Sequence, residues 1–354
     1  MRLLVRLMLC AGVVFAMPSL AWADYASGLA AANKGDFGLA QKEWEAAAKK
    51  GDANAQYNLG ALLLSGKVGQ HDPKKAIKWI EQAANKGQVD AAYSLGLLYY
   101  TGSKEFKQDF SKAYKAFDIA AKKGHVAAQY SQGVMLVNGQ GVKKNVDAGL
   151  ALLRKSGEAG NPDAQFNLGM AFASGQAGKK DPAEAFKWFL RSADGGFAQA
   201  QYQVGRMYMD GQGTELNAAT AKSWFLRAAD KGHIEAQYAL GLMAYAGIGQ
   251  AANFEEAQQW FTRAGKGWDR NAQFYLGKMA LNGEGVKVDF LEAYKWLDLA
   301  ASSGHDDAHF YRSLVAGKLS KADVQKAHSL AQQWFDANHS NPHKHYDLKP
   351  HAHH

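Results

Sequence analysis

The chain has 354 residues, a formal net charge of +8 and a single cysteine, Cys10. The charge excess is modest for this length and its two signs are interspersed, which suits anionic partners only in a generic way. One cysteine excludes intramolecular disulfides, and a chain that loses residues 1–23 also loses thiol catalysis and thiolate metal sites.

Residues 1–23 read as a secretory signal. Arg2 and Arg6 form a positive start, Leu7 to Met17 an apolar stretch, and Ala21-Trp22-Ala23 an A-x-A site with cleavage before Asp24. The apolar run is short against the roughly 20 residues that span a bilayer. Cys10 follows Leu9 rather than a small residue and sits too early to carry lipid. Removing Arg2 and Arg6 lowers the charge from +8 to +6. No other stretch is long and apolar enough to be a transmembrane segment. Export places the mature chain in the periplasm or outside the cell and argues against nucleic acid as a partner.

Residues 24–52 predict a shorter N-terminal capping helix pair, with Phe37, Ala40, Trp44 and Ala47 on its second helix. A repeat then takes over, and repeats of this period decide a fold. The segments AQYNLG, AAYSLG, AQYSQG, AQFNLG, AQYQVG, AQYALG and AQFYLG end at Gly60, Gly96, Gly133, Gly169, Gly205, Gly241 and Gly277, 36 residues apart with one step of 37. An eighth copy, AHFYRS, ends at Ser313. Asp72, Asp109, Asn145, Asp181, Asn217, Asn253 and Asp289 follow in the same register, and each predicts a helix N-cap. Asp109 comes one residue late, so the extra residue belongs to the loop around Ser103–Gln108. Pro73 and Pro182 sit at the first helical position, where a missing N–H costs nothing.

In residues 198–232, Ala200, Val204 and Tyr208 share one helical face, and Gly205 leaves room for a close neighbour. Gly211 and Gly213 break that helix. Ala221, Phe225 and Ala228 line the next one, with Trp224 and Ala229 alongside, and Gly232 ends it. Helices this short are marginal alone, so each pair must stack on the next. Ser320 and Asp323 predict a capping box before a last helix marked by Val324, Ala327, Ala331 and Trp334, which makes 306–338 a C-terminal capping pair. About eighteen helices in nine pairs are expected.

The pattern A-Q-Y-x-L-G, G-x-G-V, Asp/Asn, then K-x-x-x-W-x-x-x-A-A-x-x-G resembles Sel1-like repeats, relatives of the tetratricopeptide repeat. Residues 53–305 carry seven such units, at 53–88, 89–125, 126–161, 162–197, 198–233, 234–269 and 270–305. The resemblance implies an all-α, right-handed superhelical solenoid of antiparallel helix pairs. It also implies a non-enzymatic protein- or peptide-binding scaffold of the bacterial cell envelope, working through its concave face. Some exported members carry a disulfide in each repeat, and this chain departs from that subgroup. A monomer is expected.

The chemistry-bearing residues mostly have structural readings. Trp44, Trp79, Trp188, Trp224, Trp260 and Trp296 occupy one repeat position and read as packing. The doublets Gly139/Gly141, Gly211/Gly213, Gly247/Gly249 and Gly283/Gly285 follow helices, not strands, and read as turns rather than phosphate loops. No HExxH, G-x-S-x-G or Walker motif is present. His125, His233 and His305 recur one repeat apart, too far for one metal ion, and read as surface or capping residues. His309 could approach His305 across one turn, again with a surface or capping role expected.

The candidate binding face is the first helix of each unit. Gln129, Gln165, Gln201, Gln237 and Gln273 would offer a donor–acceptor ladder, and Tyr130, Phe166, Tyr202, Tyr238 and Phe274 an aromatic stripe, for an extended peptide or a glycan strand such as peptidoglycan. The irregular units are further candidates. The unit at 126–161 has Leu152 in place of Trp and Ser156-Gly157 in place of Ala-Ala. The unit at 234–269 has Trp268 where most have Gly, as an inter-repeat wedge or an exposed contact. No cofactor is expected in the repeats. Residues 339–354 predict a disordered His-rich tail in which His343, His345, His351, His353 and His354 could bind zinc, nickel or copper. Two alternatives stand beside the scaffold: a hydrolase acting on cell-wall or antibiotic substrates, and an envelope metal-handling protein working through the tail.

Overall fold

The computed structural model describes residues 20–69, 72–104 and 106–338. The predicted signal up to residue 19 and the His-rich tail lie outside the described residues. Residues 20–23 open the first described helix.

Every described element is an α-helix. In chain order they are α1 (Leu20–Asn33), α2 (Phe37–Lys49), α3 (Ala53–Ser65), α4 (Pro73–Asn85), α5 (Val89–Thr101), α6 (Phe110–Lys122), α7 (Val126–Asn138), α8 (Val146–Glu158), α9 (Pro162–Ser174), α10 (Pro182–Asp194), α11 (Ala198–Asp210), α12 (Ala218–Asp230), α13 (Ile234–Ala246), α14 (Phe254–Lys266), α15 (Arg270–Asn282), α16 (Phe290–Ser302), α17 (Ala308–Ala316) and α18 (Lys321–Asn338). This is the all-α helical-repeat solenoid expected from the sequence. The chain divides into two compact units, Met1–Lys180 and Asp181–His354. Within each unit a helix packs mainly on the helices before and after it in the chain.

The helix starts are written in the caps. The side chains of Asp72, Asp109, Asn145, Asp181, Asn217, Asn253 and Asp289 each accept the backbone N–H three residues on. This satisfies one of the donors a helix start leaves unpaired. Both helices of the 89–125 repeat keep 13 residues, so its extra residue lies wholly in the Gly102–Asp109 connection.

The pairs close through small residues. In the unit at 198–232, Ala200, Val204 and Ala221 are fully buried and Phe225 nearly so. A Cβ built on Gly205 would come within 2.6 Å of the Phe225 ring, so that glycine sets the distance between α11 and α12. The second glycine of the turn reaches the preceding repeat. A Cβ on Gly213 would run into the Pro182 carbonyl at the start of α10.

The C-terminal end departs from the expected capping pair. Helices α17 and α18 both pack on α16 instead of chiefly on each other. Helix α17 has only nine residues, and one short helix leaves the last repeat open. The longer α18 folds back to cover it.

Candidate binding surface

Six of the seven first helices carry glutamine at their fourth residue, α5 having Ala92 there, and the structure shows what it does. The Nε2 of Gln165, Gln201 and Gln273 donates to the carbonyl of Gly157, Ala193 and Gly265, at 2.8, 3.1 and 3.2 Å. Gln129 and Gln237 do the same to Ala121 and Ala229, both at 3.3 Å. The acceptor is always eight residues earlier, near the end of the preceding helix, where carbonyls lack an intrahelical partner. The expected ligand-facing ladder is therefore corrected. Gln165, Gln201 and Gln273 are buried, Gln273 completely, and these side chains tie one helix to the next.

The aromatic stripe is also committed to the joints between repeats. The Tyr130 hydroxyl accepts Asn167 Nδ2 from the following repeat at 3.4 Å. Tyr202 stacks on His233 with ring centroids 4.8 Å apart, and Tyr238 leans on Tyr275 at 6.2 Å. Phe274 is buried, stacked 4.1 Å from His305, and is corrected from contact residue to core. Phe166, Tyr130, Tyr202 and Tyr238 stay half-buried, with an edge accessible. Burial pushes the hydroxyl pKa of Tyr130, Tyr202 and Tyr238 upward, so these groups stay neutral hydrogen-bonding partners.

Two of the three in-register histidines cap helices, and the third stands two residues before a cap position held by Asp307. Nδ1 of His125 accepts Ala128 N at 3.1 Å, and Nδ1 of His233 accepts Ala236 N at 3.3 Å. His305 precedes the shortened α17, and its buried Nδ1 has no partner among the described residues. Burial lowers the pKa of all three. His309 lies 3.5 Å from Arg312. Among the described residues no group of three metal-ligating side chains converges. The five tail histidines lie outside the described residues.

Trp268 is the inter-repeat wedge of the two readings. Its φ of 68° is the one positive value of a non-glycine residue among the described residues. Its ring meets Trp334 and Phe335 of α18 edge to face, at 5.4 and 5.0 Å. In the other irregular unit, Ser156 is fully buried and its hydroxyl donates to the Val126 carbonyl at 2.9 Å.

What remains available on the first helices lies four residues beyond each aromatic. In the first unit that position is Leu97, Val134 and Met170, and Met170 is exposed. In the second it is Arg206, Leu242 and Lys278. Arg206 rests 6.0 Å over the Tyr202 ring, and Lys278 lies 5.8 Å over Phe274 and 5.6 Å over Tyr275. The repeat consensus does not mark this position. Its signal was that it changes chemistry from repeat to repeat, while the glutamine and aromatic beside it stay nearly fixed.

No described helix is long and apolar enough to cross a membrane. The Sel1 repeat family model matches residues 53–88, 89–125, 126–161, 162–197, 198–233, 234–267 and 270–305. Among solved structures, the chain is similar to a Sel1 repeat protein from Oxalobacter formigenes, with 26% identity and a TM-score of 0.60. That match covers 68% of this chain and 96% of that one. It is also similar to c5321, a protective antigen present in uropathogenic Escherichia coli strains that displays an SLR fold. There the identity is 25%, the TM-score 0.58, and the cover 90% of this chain and 77% of that one. No curated protein matches the chain.

Proposed function

The chain belongs to the Sel1 repeat family, and on that premise we propose that it is a non-enzymatic scaffold of the bacterial cell envelope that binds a protein or peptide along its first helices. Sel1-repeat scaffolds mediate protein interactions. The observation that carries the proposal is the changing position on a fixed frame. The glutamines and Tyr130, Tyr202, Tyr238 and Phe274 of the frame serve the joints, while Leu97, Val134 and Met170 in one unit, and Arg206, Leu242 and Lys278 in the other, differ in size and charge. Leu97 and Leu242 pack in part against the core, while Met170 and Arg206 are exposed, and residues of changing identity on a fixed frame are where a repeat protein writes specificity. The apolar set suits aliphatic side chains, and Arg206 and Lys278 suit acidic ones. The envelope location rests on the signal-like pattern of residues 1–23.

A photo-crosslinking amino acid placed at Met170 and at Arg206 in the producing cell tests this reading. A protein partner should be captured from Met170 or from Arg206 and not from Lys112 or Lys187 on second helices. Equal capture from all four positions would overturn the assignment of the face. Turnover of a cell-wall or antibiotic substrate by the purified chain, abolished by one substitution, would instead establish the hydrolase.

A further inference from the structure

The second helices carry a tryptophan at one repeat position, and in most repeats its ring is covered. Arg191 lies 4.8 Å over Trp188, Arg227 4.4 Å over Trp224 and Arg263 4.7 Å over Trp260. In each case the guanidinium comes from three residues on, one helical turn away, and the pair is a cation–π contact. Trp296 is covered by Lys295 at 4.6 Å, and its Nε1 donates to Glu292 at 2.7 Å.

Trp79 breaks this rule in two ways. The residue three on is Gln82, and among the described residues no cation lies over the ring. The residue four before is Lys75, whose ammonium is held by Glu45 at 3.2 Å, so the indole N–H has no carboxylate like that of Glu292. The ring is half-buried and packs in part against the core of α2 and α3. Where three other repeats place an arginine, a shallow, open cleft of about 530 Å³ lies between α2, α3 and α4.

The rest of its lining is polar and of one sign. Gln56, Gln82 and Asn85 contribute amides, and Lys49 and Lys86 contribute ammonium groups. Gln56 Nε2 donates to Ala48 O at 3.0 Å and to Gln82 Oε1 at 3.4 Å, which leaves the Gln82 NH2 as a free donor. Lys86 uses one N–H on the Gly51 carbonyl and keeps two. No carboxylate lines the cleft.

We propose that this cleft binds an anionic saccharide, with a sugar ring on the Trp79 indole and its acidic group on Lys49 and Lys86. The C–H face of a pyranose carries partial positive charge and meets the negative face of an indole as the missing guanidinium would. Side-chain amides pair with neighbouring hydroxyls through a donor and an acceptor each. The lysines supply the charge complement. A peptide fits less well, because the helical backbone around the cleft is internally hydrogen bonded and offers no strand edge. The site lies on second-helix residues and the joints beside them, apart from the first-helix face proposed for protein binding, so either can fail alone.

The test is calorimetric titration of the purified chain with cellobiouronic acid, with cellobiose, and with a tetraglutamate peptide. Cellobiouronic acid should bind at least about tenfold more tightly than cellobiose, since one charge-assisted contact is worth about that factor. Trp79→Leu, which keeps an apolar side chain but removes the aromatic face, should reduce binding of the acid by about tenfold or more. Gln82→Arg, which restores the cover seen over Trp188, should do the same. Lys49→Ser should weaken binding of the acid and leave that of the neutral sugar unchanged. Circular dichroism should show all three variants folded. Binding of neither sugar, or binding of the acid that survives both Trp79→Leu and Gln82→Arg in folded protein, would overturn the proposal. So would binding of tetraglutamate alone with the same dependence on Trp79, which would assign the cleft to acidic peptides.

Discussion

Arg312 Nη1 lies 2.6 Å from Asp298 Oδ1, in an ion pair whose carboxylate is sealed from solvent. The other carboxylate oxygen lies 2.8 Å from His328 Nδ1. One buried acid on α16 thus fastens both α17 and α18. Removing it leaves the Arg312 guanidinium at the joint without its counter-charge, which costs more than the pair itself contributes. Asp298→Ala should destabilise the second unit by about 3 kcal/mol. Hydrogen exchange should show protection lost first in α17 and α18. Unchanged protection there would mean that apolar packing alone holds the end.

Trp268 holds a backbone conformation that suits glycine, at a cost of about 1–2 kcal/mol. Its ring returns more than this through Trp334 and Phe335. Trp268→Gly should therefore destabilise by about 2 kcal/mol despite relieving the backbone. Chemical denaturation with near-ultraviolet circular dichroism would check it, and a more stable variant would show that the wedge carries no packing energy.

Gln273 should behave as a structural residue. Gln273→Leu nearly keeps the volume and removes the side-chain donor to the Gly265 carbonyl, which keeps the Trp268 N–H, a loss of about 1 kcal/mol. The thermal midpoint should fall, while capture of the protein partner at Arg206 stays as it was. Loss of capture with an unchanged midpoint would restore the glutamine as a contact residue.

Acid should weaken the fold through its histidines. Burial holds His125, His233 and His305 below the ordinary imidazole pKa of 6.5. As the pH falls through that value the unfolded chain takes up protons more readily than the folded one. The stability these groups provide is complete above about pH 6.5 and is lost below it. The caps give the same sign, because a protonated Nδ1 cannot accept Ala128 N or Ala236 N. Asp90, 3.9 Å from His125, and Glu235, 3.3 Å from His233, oppose the effect without reversing it. The double variant His125→Asn, His233→Asn keeps an acceptor at each cap, as Asn161 does for Ala164. Its thermal midpoint should drop less than that of the unchanged chain between about pH 7.5 and pH 5. Parallel curves would remove the caps from the account.

The tail prediction rests on sequence. Zinc, nickel and copper titrated into the full chain and into a version ending at Asn338 should bind only the former, through His343, His345, His351, His353 and His354. Binding should weaken below about pH 6.5 as the imidazoles protonate. Equal binding by both versions would place the ligands elsewhere.

The repeat made the fold legible, because caps are local chemistry. An Asp or Asn ahead of an apolar helical stripe, as at Asp181 or Asn217, names its own hydrogen bond three residues on. The joints were harder to read. Gln273 and Phe274 look like surface residues in a helix taken alone, and only the neighbouring helix shows that one seeks a carbonyl and the other a histidine ring. His125 was recognisable by its place in the register, but its acceptor nitrogen was not. Trp79 was hidden by a rule that held elsewhere. Its tryptophan looks like the others, and the difference lies in the absent arginine one turn later.

The glutamine bond that reaches back eight residues has a consequence for how such a chain could change length. Both of its ends lie in residues that this repeat and its neighbours supply, so a tandem duplication of residues 198–233 would meet ready-made partners at each side. The copied Gln201 would find the Ala229 carbonyl in front of it, in the place where Gln237 now donates. The copied Ala229 carbonyl would in turn be waiting for Gln237. Gene duplication could thus lengthen the array by whole repeats without inventing an interface, whereas gaining half a repeat would strand an amide and a carbonyl at once.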